Sequence, residues 1–141
     1  MIKPLIFIEE VTKTNYKDAL KIYNSLSDKE KYWTCPNGSF KDVPTSYRNV
    51  IKNKAFLDIY SDKKDKKSGF LILAVSPNAR RKGLASKLLD DAKDNAKKLG
   101  IKKLVYRTFI ENEASHKLAL VNDFKFKFKD DKEITLEYEI K

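Results

Sequence analysis

The chain is poor in the residues that staple or punctuate small proteins. Its 141 residues hold one cysteine, Cys35, one tryptophan and only four glycines and four prolines. A lone cysteine excludes an internal disulfide and a cysteine metal cluster, so no metal is expected, and it suits a reducing compartment. Long apolar runs are also missing. The longest, Phe70 to Val75, is far too short to span a bilayer, and no basic-then-apolar leader precedes Leu5, so a cytoplasmic location without membrane contact is expected. No internal repeat, low-complexity tract or interdomain linker is visible, and residues 1–141 read as a single domain. Acidic residues are outnumbered, 20 against 30 lysines and arginines, and the resulting formal charge of +10 attracts polyanions: a nucleotide cofactor, nucleic acid or an acidic protein surface. Compositional drift of a host genome accounts for the lysine excess equally well. An apolar fraction of 41% with 11% aromatics is nevertheless that of a chain that folds.

Leu5 to Val11 reads as a strand, and Asn15 as the cap of a helix presenting Ala19, Leu20, Tyr23 and Leu26 on one face. Ser27 to Pro44 reads as a polar and aromatic loop, after which Tyr47, Val50 and Ile51 point to a short second helix. Ala55 to Tyr60 and Gly69 to Val75 form an antiparallel hairpin across the charged turn Ser61 to Ser68, and the second run, apolar on both faces, is a central strand. Lys82 to Leu99 carries a helical stripe at Leu84, Ala85, Leu88, Leu89, Ala92, Ala96 and Leu99, with Gly100 at the expected stop. Ile101 to Phe109 is a strand and Glu113 to Val121 a helix. Phe124, Phe126 and Phe128, alternating with lysines, predict a half-buried strand that pairs with a last one carrying Ile134, Leu136, Tyr138 and Ile140.

Between the most buried strand and the longest helix lies Val75-Ser76-Pro77-Asn78-Ala79-Arg80-Arg81-Lys82-Gly83-Leu84-Ala85-Ser86. A helix start offers unpaired backbone N–H groups at the positive end of its dipole, which suits a pyrophosphate. Small residues at Gly83 and Ala85 let phosphates reach that backbone, and Arg80, Arg81 and Lys82 add charge. Pro77 helps the chain leave the sheet.

The segment resembles the coenzyme-A-binding motif of the GNAT superfamily of N-acetyltransferases, Val-x-Pro-x-x-Arg/Gln-x-x-Gly-x-Gly/Ala, at Val75, Pro77, Arg80, Gly83 and Ala85. Asn112, Ser115, Leu118 and Phe124 resemble that family's later motif at the expected spacing. The resemblance implies an α/β (α+β) fold with a mixed, mostly antiparallel central sheet flanked by helices, its central strands splayed around the cofactor. It implies acetyl-CoA as co-substrate, held by Ala74, Val75, Arg80, Arg81, Lys82, Gly83, Leu84, Ala85, Ser86, Asn112 and Ser115, and an amine acceptor, on a small molecule or a protein. Trp33 and Phe40, in the loop that flanks the acceptor groove in that family, are candidates to shape the substrate pocket. One strand of the family's sheet is missing from this reading, or hidden near Ser39 to Val43. A homodimer is compatible with the resemblance.

Acetyl transfer needs a neutral amine, polarisation of the carbonyl and a proton for the departing thiolate. The family's usual proton donor, a tyrosine, is replaced by Ala119, and Asp123 stands in place of the common glycine before Phe124. Tyr106 and His116 are the substitute acids, water a further proton source, and Glu111, Asp58 and Glu10 the candidate bases. Two other readings compete: a domain that binds acyl-CoA without turnover, favoured by Ala119, and a basic nucleic-acid-binding protein, disfavoured because the lysines spread over every element.

Overall fold

The structure is a computed structural model that describes residues 13–35, 40, 45–62 and 64–141. Among the described residues, four α-helices and six strands follow in the order α1 (Lys13–Asn24), α2 (Asp28–Thr34), β1 (Thr45–Ile51), β2 (Ala55–Asp62), β3 (Asp65–Val75), α3 (Leu84–Lys98), β4 (Lys103–Phe109), α4 (Glu113–Val121), β5 (Lys125–Lys129) and β6 (Glu133–Glu139). The strands form one sheet in the order β1-β2-β3-β4-β6-β5, in which β3 and β4 run parallel and every other neighbour pair is antiparallel. This is the mixed, mostly antiparallel architecture expected.

Each face of the sheet carries its own core. On one, Leu88, Leu89, Ala92 and Ala96 of α3 and Ala119 of α4 bury Leu57, Ile59, Leu104, Tyr106 and Leu136. On the other, Ala19 and Ile22 of α1, and Leu26 just after it, pack with Phe40 over Val50, Phe56, Ile72 and Ala74. The double-sided burial of β3 explains why its sequence is continuously apolar. Among the described residues no helix is long and apolar enough to cross a membrane.

Four expectations are corrected. Asn15 is not a cap but a fully buried residue within α1. The expected loop after Ser27 contains α2, started by a capping box in which Ser27 Oγ accepts from Glu30 N at 3.2 Å and Glu30 Oε1 accepts from Ser27 N at 3.1 Å. The expected helix at Tyr47 to Ile51 is β1, paired from Thr45↔Tyr60 to Ile51↔Ala55. Its two faces are both covered: Val50 lies in the α1 core and Ile51 in the α3 core, which hides the alternation. β1 is also the strand thought to be missing. Finally, β5 is not half-buried: Phe124 is buried just before it, but Phe126 and Phe128 are 53% and 56% exposed on this edge strand, where the register slips between them. The expected strand at 5–11 and most of 36–44 lie outside the described residues.

Candidate active site

β3 and β4 are paired only at Ser68↔Lys103, Gly69↔Leu104 and Phe70↔Val105. Beyond those rungs β3 stays on β2 as far as Val75, and β4 stays on β6 as far as Phe109, so the two central strands part. Each then presents an edge of main-chain donors and acceptors that has no strand opposite. A close approach closes the base of the fork: a Cβ on Gly69 would sit 2.8 Å from Ile59 Cγ2.

A cavity of about 560 Å³ fills the gap. Leu71 to Val75 form one wall and Tyr106 to Thr108 the other; Arg80, Arg81 and Gly83 to Ser86 line one end, Asn112, Ser115 and Leu118 line the α4 side, and Glu30, Trp33 and Thr34 close it from α2. The structure thus brings together most of the residues singled out in the sequence, although Lys82, Phe40, Glu111 and His116 are not in its lining.

At the α3 end the backbone makes two left-handed turns, Arg81 at φ 64 and Gly83 at φ 74. Gly83 caps the helix without any side-chain hydrogen bond, and Lys87 N reaches the Gly83 carbonyl at 3.2 Å. The preceding amides, Leu84 to Ser86, belong to the first turn and have no intrahelical acceptor. Arg80 spans the turn: its Nε donates to the Val75 carbonyl at 3.3 Å and its Nη2 lies 2.5 Å from Glu30 Oε2. Lys82 is exposed beside this turn.

On the β4 wall the Tyr106 hydroxyl and Ser115 Oγ are 2.9 Å apart. Burial raises the Tyr106 phenol above its usual value, against a smaller lowering by Ser115, so it is held protonated. Thr108, 4% exposed, lines the cavity with a buried Oγ1 that has no hydrogen-bond partner among the described residues. Unpaired buried hydroxyls are costly, which marks this atom as one a ligand would satisfy.

The remaining candidates are engaged elsewhere. His116 Nε2 lies 3.2 Å from the Ile110 carbonyl. Glu111 is exposed, accepts from Trp33 Nε1 at 2.9 Å and sits 3.9 Å from Lys29 Nζ. Asp58 is buried in a two-pronged pair with Arg48, at 2.7 and 2.8 Å. Phe40, expected at the acceptor pocket, is 3% exposed between Tyr16, Tyr23 and Phe56 in the α1 core, whereas Trp33 does reach the cavity. Ala119 is fully buried in the α3 core. Asp123 adopts φ 70, the conformation a glycine takes more readily. Glu30, Arg107 and Thr108 line the site without having been singled out. The pattern Ser27-x-x-Glu30 was a readable capping signal, while Arg107 and Thr108 follow from placing Tyr106 on the gap, since its strand neighbours must flank it.

The sequence profile of the acetyltransferase (GNAT) family matches residues 17–124. No curated protein matches the chain by sequence. Among solved structures, the GNAT domain of S. lividans PAT superposes with a TM-score of 0.79 at 17% identity, covering 94% of this chain and 89% of that one. An N-acetyltransferase from Staphylococcus aureus Mu50 gives 0.70 at 21%, covering 96% and 98%. The yncA protein of Salmonella typhimurium, solved with its cofactor acetyl-CoA, gives 0.58 at 20%, covering 67% of this chain and 65% of its own. At such identities the likeness to solved structures is one of fold. Taken with the profile match over most of its length, it means that the chain belongs to the acetyltransferase (GNAT) family.

Proposed function

We propose that this chain is an N-acetyltransferase that moves an acetyl group from acetyl-CoA to a primary amine by direct attack in a ternary complex. The observation that carries the reading is the forked gap, whose strand edges open onto the first turn of α3, where the cap Gly83 makes no side-chain hydrogen bond. A ligand with an amide-bearing arm and a pyrophosphate satisfies both, and the Thr108 hydroxyl, without a partner among the described residues, offers it one more bond. The Salmonella typhimurium relative that holds acetyl-CoA supports the same ligand here.

In this reading the amides of Leu84, Ala85 and Ser86, with Arg80 and Arg81, hold the phosphates, and Lys82 adds charge from the solvent side. Ala74 and Val75 pair through their backbone with the pantetheine arm, and Asn112 and Ser115 line its other side. The co-substrate supplies an activated acetyl thioester. Backbone donors beside Val75 polarise its carbonyl. The amine nitrogen forms a bond to the carbonyl carbon, the carbon–sulfur bond breaks with its electron pair on sulfur, Tyr106 protonates that sulfur, and the amine's surplus proton passes to water, from which the Tyr106 phenolate is reprotonated. Tyr106 is preferred over His116 because its hydroxyl lies on the cavity wall, protonated and hydrogen-bonded to Ser115. With a single cysteine, the chain suits the reducing cytoplasm.

Free-thiol release from acetyl-CoA in the presence of amino acids, polyamines, aminoglycosides or lysine peptides tests the reading. Turnover with any of them supports it. Binding of acetyl-CoA with no thiol release across that panel would instead favour the second reading, an acyl-CoA-binding domain without turnover, for which the buried Ala119 is the specific observation.

A further inference from the structure

The cavity is lined from both faces of the sheet. Tyr106 and Arg107 are adjacent on β4, so their side chains leave the strand on opposite faces. Tyr106 meets Ser115 of α4, while the Arg107 guanidinium lies 5.1 Å from the centre of the Phe70 ring, itself stacked on Tyr60 at 5.5 Å. Phe109, two residues on from Arg107 and so on the same face, stacks on Tyr32 of α2 at 5.0 Å. Arg107 therefore stands on the α2 side, across the sheet from the α4 side that the proposed function gives to the pantetheine arm. An acceptor then comes to the thioester from the face that the arm does not occupy.

Arg107 is exposed, lines the cavity, and forms no ion pair with any described residue. Glu133, opposite Phe109 on β6, is the neighbouring carboxylate, and no ion pair joins it to Arg107. Among the described residues lining the cavity, Glu30 is the one carboxylate, and it is already shared between Arg80 and the capping box. Among the described residues, the acceptor side thus carries a guanidinium laid over an aromatic ring with no carboxylate paired to its planar fork of donors. Such a wall repels polycations and offers two parallel hydrogen bonds to a carboxylate.

Resting on the proposed N-acetyltransferase reading, we propose that Arg107 is the anchor of an acceptor subsite for amines that bear a carboxylate, amino acids being the simplest class. The carboxylate docks on the guanidinium, and the amine beside it is thereby turned toward the gap between β3 and β4. This makes Arg107 a specificity residue that touches the acceptor and leaves the coenzyme alone.

The test is calorimetric and needs no turnover. Protein saturated with coenzyme A is titrated with methionine, phenylalanine and glutamate, each matched with its α-amide, and with spermidine. In the wild type the acids bind roughly ten-fold or more tightly than the amides, the range expected for hydrogen bonds to a charged group. Arg107→Gln brings that ratio to near one, Arg107→Lys restores part of it, and coenzyme A affinity is the same in all three proteins. An acid that binds no better than its amide, whether both bind or neither does, overturns the subsite; so does spermidine binding more tightly than the acids, or a ratio unchanged in Arg107→Gln. Thiol release measured in parallel separates the two claims. Carboxylate preference without thiol release keeps the subsite and removes the transferase reading, while thiol release from spermidine but not from amino acids does the reverse.

Discussion

Arg80 and Glu30 meet at 2.5 Å between Nη2 and Oε2, tying the turn that opens α3 to the first turn of α2. The same glutamate completes the capping box on Ser27, so one carboxylate serves both the start of α2 and the cation expected at the phosphates. Glu30→Gln removes the competitor for Arg80 and should tighten coenzyme A binding by roughly two- to five-fold, the worth of a half-exposed ion pair, as read by calorimetry.

The pH dependence of that contact has a definite sign. Burial raises the Glu30 carboxyl, but hydrogen bonds from Ser27 and the charge of Arg80 outweigh it and leave the group below the usual carboxylate value. A depressed value means stability present at neutral pH and lost as pH falls through the folded value. Urea midpoints of wild type and Glu30→Gln should differ by a constant amount near pH 7 and converge in acid below the usual carboxylate range.

Gly83→Glu puts bulk and negative charge at the proposed phosphate turn and should abolish measurable coenzyme A binding while the protein stays folded. The space is open, since an added Cβ there meets nothing within 4 Å, so the folding cost is that of a left-handed backbone alone. Gly83→Ala carries that cost, about 1–2 kcal/mol, without the charge, and should keep most of the affinity. Equal affinity in Gly83→Glu and wild type would remove the site.

Tyr106→Phe keeps the ring that packs edge-on against Phe124 but loses the proton. The rate constant kcat should fall by roughly a hundred-fold, with little change in acetyl-CoA affinity, whereas His116→Ala should leave kcat nearly intact. Because burial raises the phenol, the wild-type rate should hold through mildly alkaline pH and decline only above the ordinary tyrosine value. A stopped assay from pH 6 to 11 reads both.

Arg48→Met strips Asp58 of its partner inside the α1 core and should cost about 3–5 kcal/mol in urea unfolding. Burial pushes the Asp58 carboxyl up, with Arg48 and Thr45 only partly offsetting it. Without Arg48 it rises further, so the deficit should be smallest in acid, where the carboxyl is neutral, and grow as pH increases. The double variant Arg48→Met, Asp58→Leu should recover much of the loss, because it leaves no buried charge unpaired.

The second half of the fold was legible because its signals are local. The stripe from Leu84 to Leu99 and the switch of period at Ile101 mark α3 and β4 within a residue or two, and Glu113–Val121 matches α4 at both ends. The first half was harder. β1 reads as a helix because burial on both faces removes its alternation, and α2 reads as a loop because it buries no residue and so has no apolar stripe. Its capping box was the one clue. The alternation of lysine and phenylalanine in β5 is real, but periodicity cannot tell that an edge strand has nothing packed over it. At the site, the phosphate turn was readable since it is contiguous in sequence; Glu30 and Arg107 were readable only as a capping residue and as a strand neighbour of Tyr106, because they join the site through the packing of α2 and the parting of two strands.

Those two strands share a pivot of three rungs with Gly69 in the middle, and they diverge from it like the blades of scissors. At about 3.3 Å per residue, Val75 lies roughly 16 Å out from Phe70, so a rotation of about ten degrees at the pivot moves the blade tip by about 3 Å. Room for a longer acyl chain can therefore come from a small change in angle without carving the walls. A side chain added at position 69, wedged against Ile59, would be felt most at the far end of the blades.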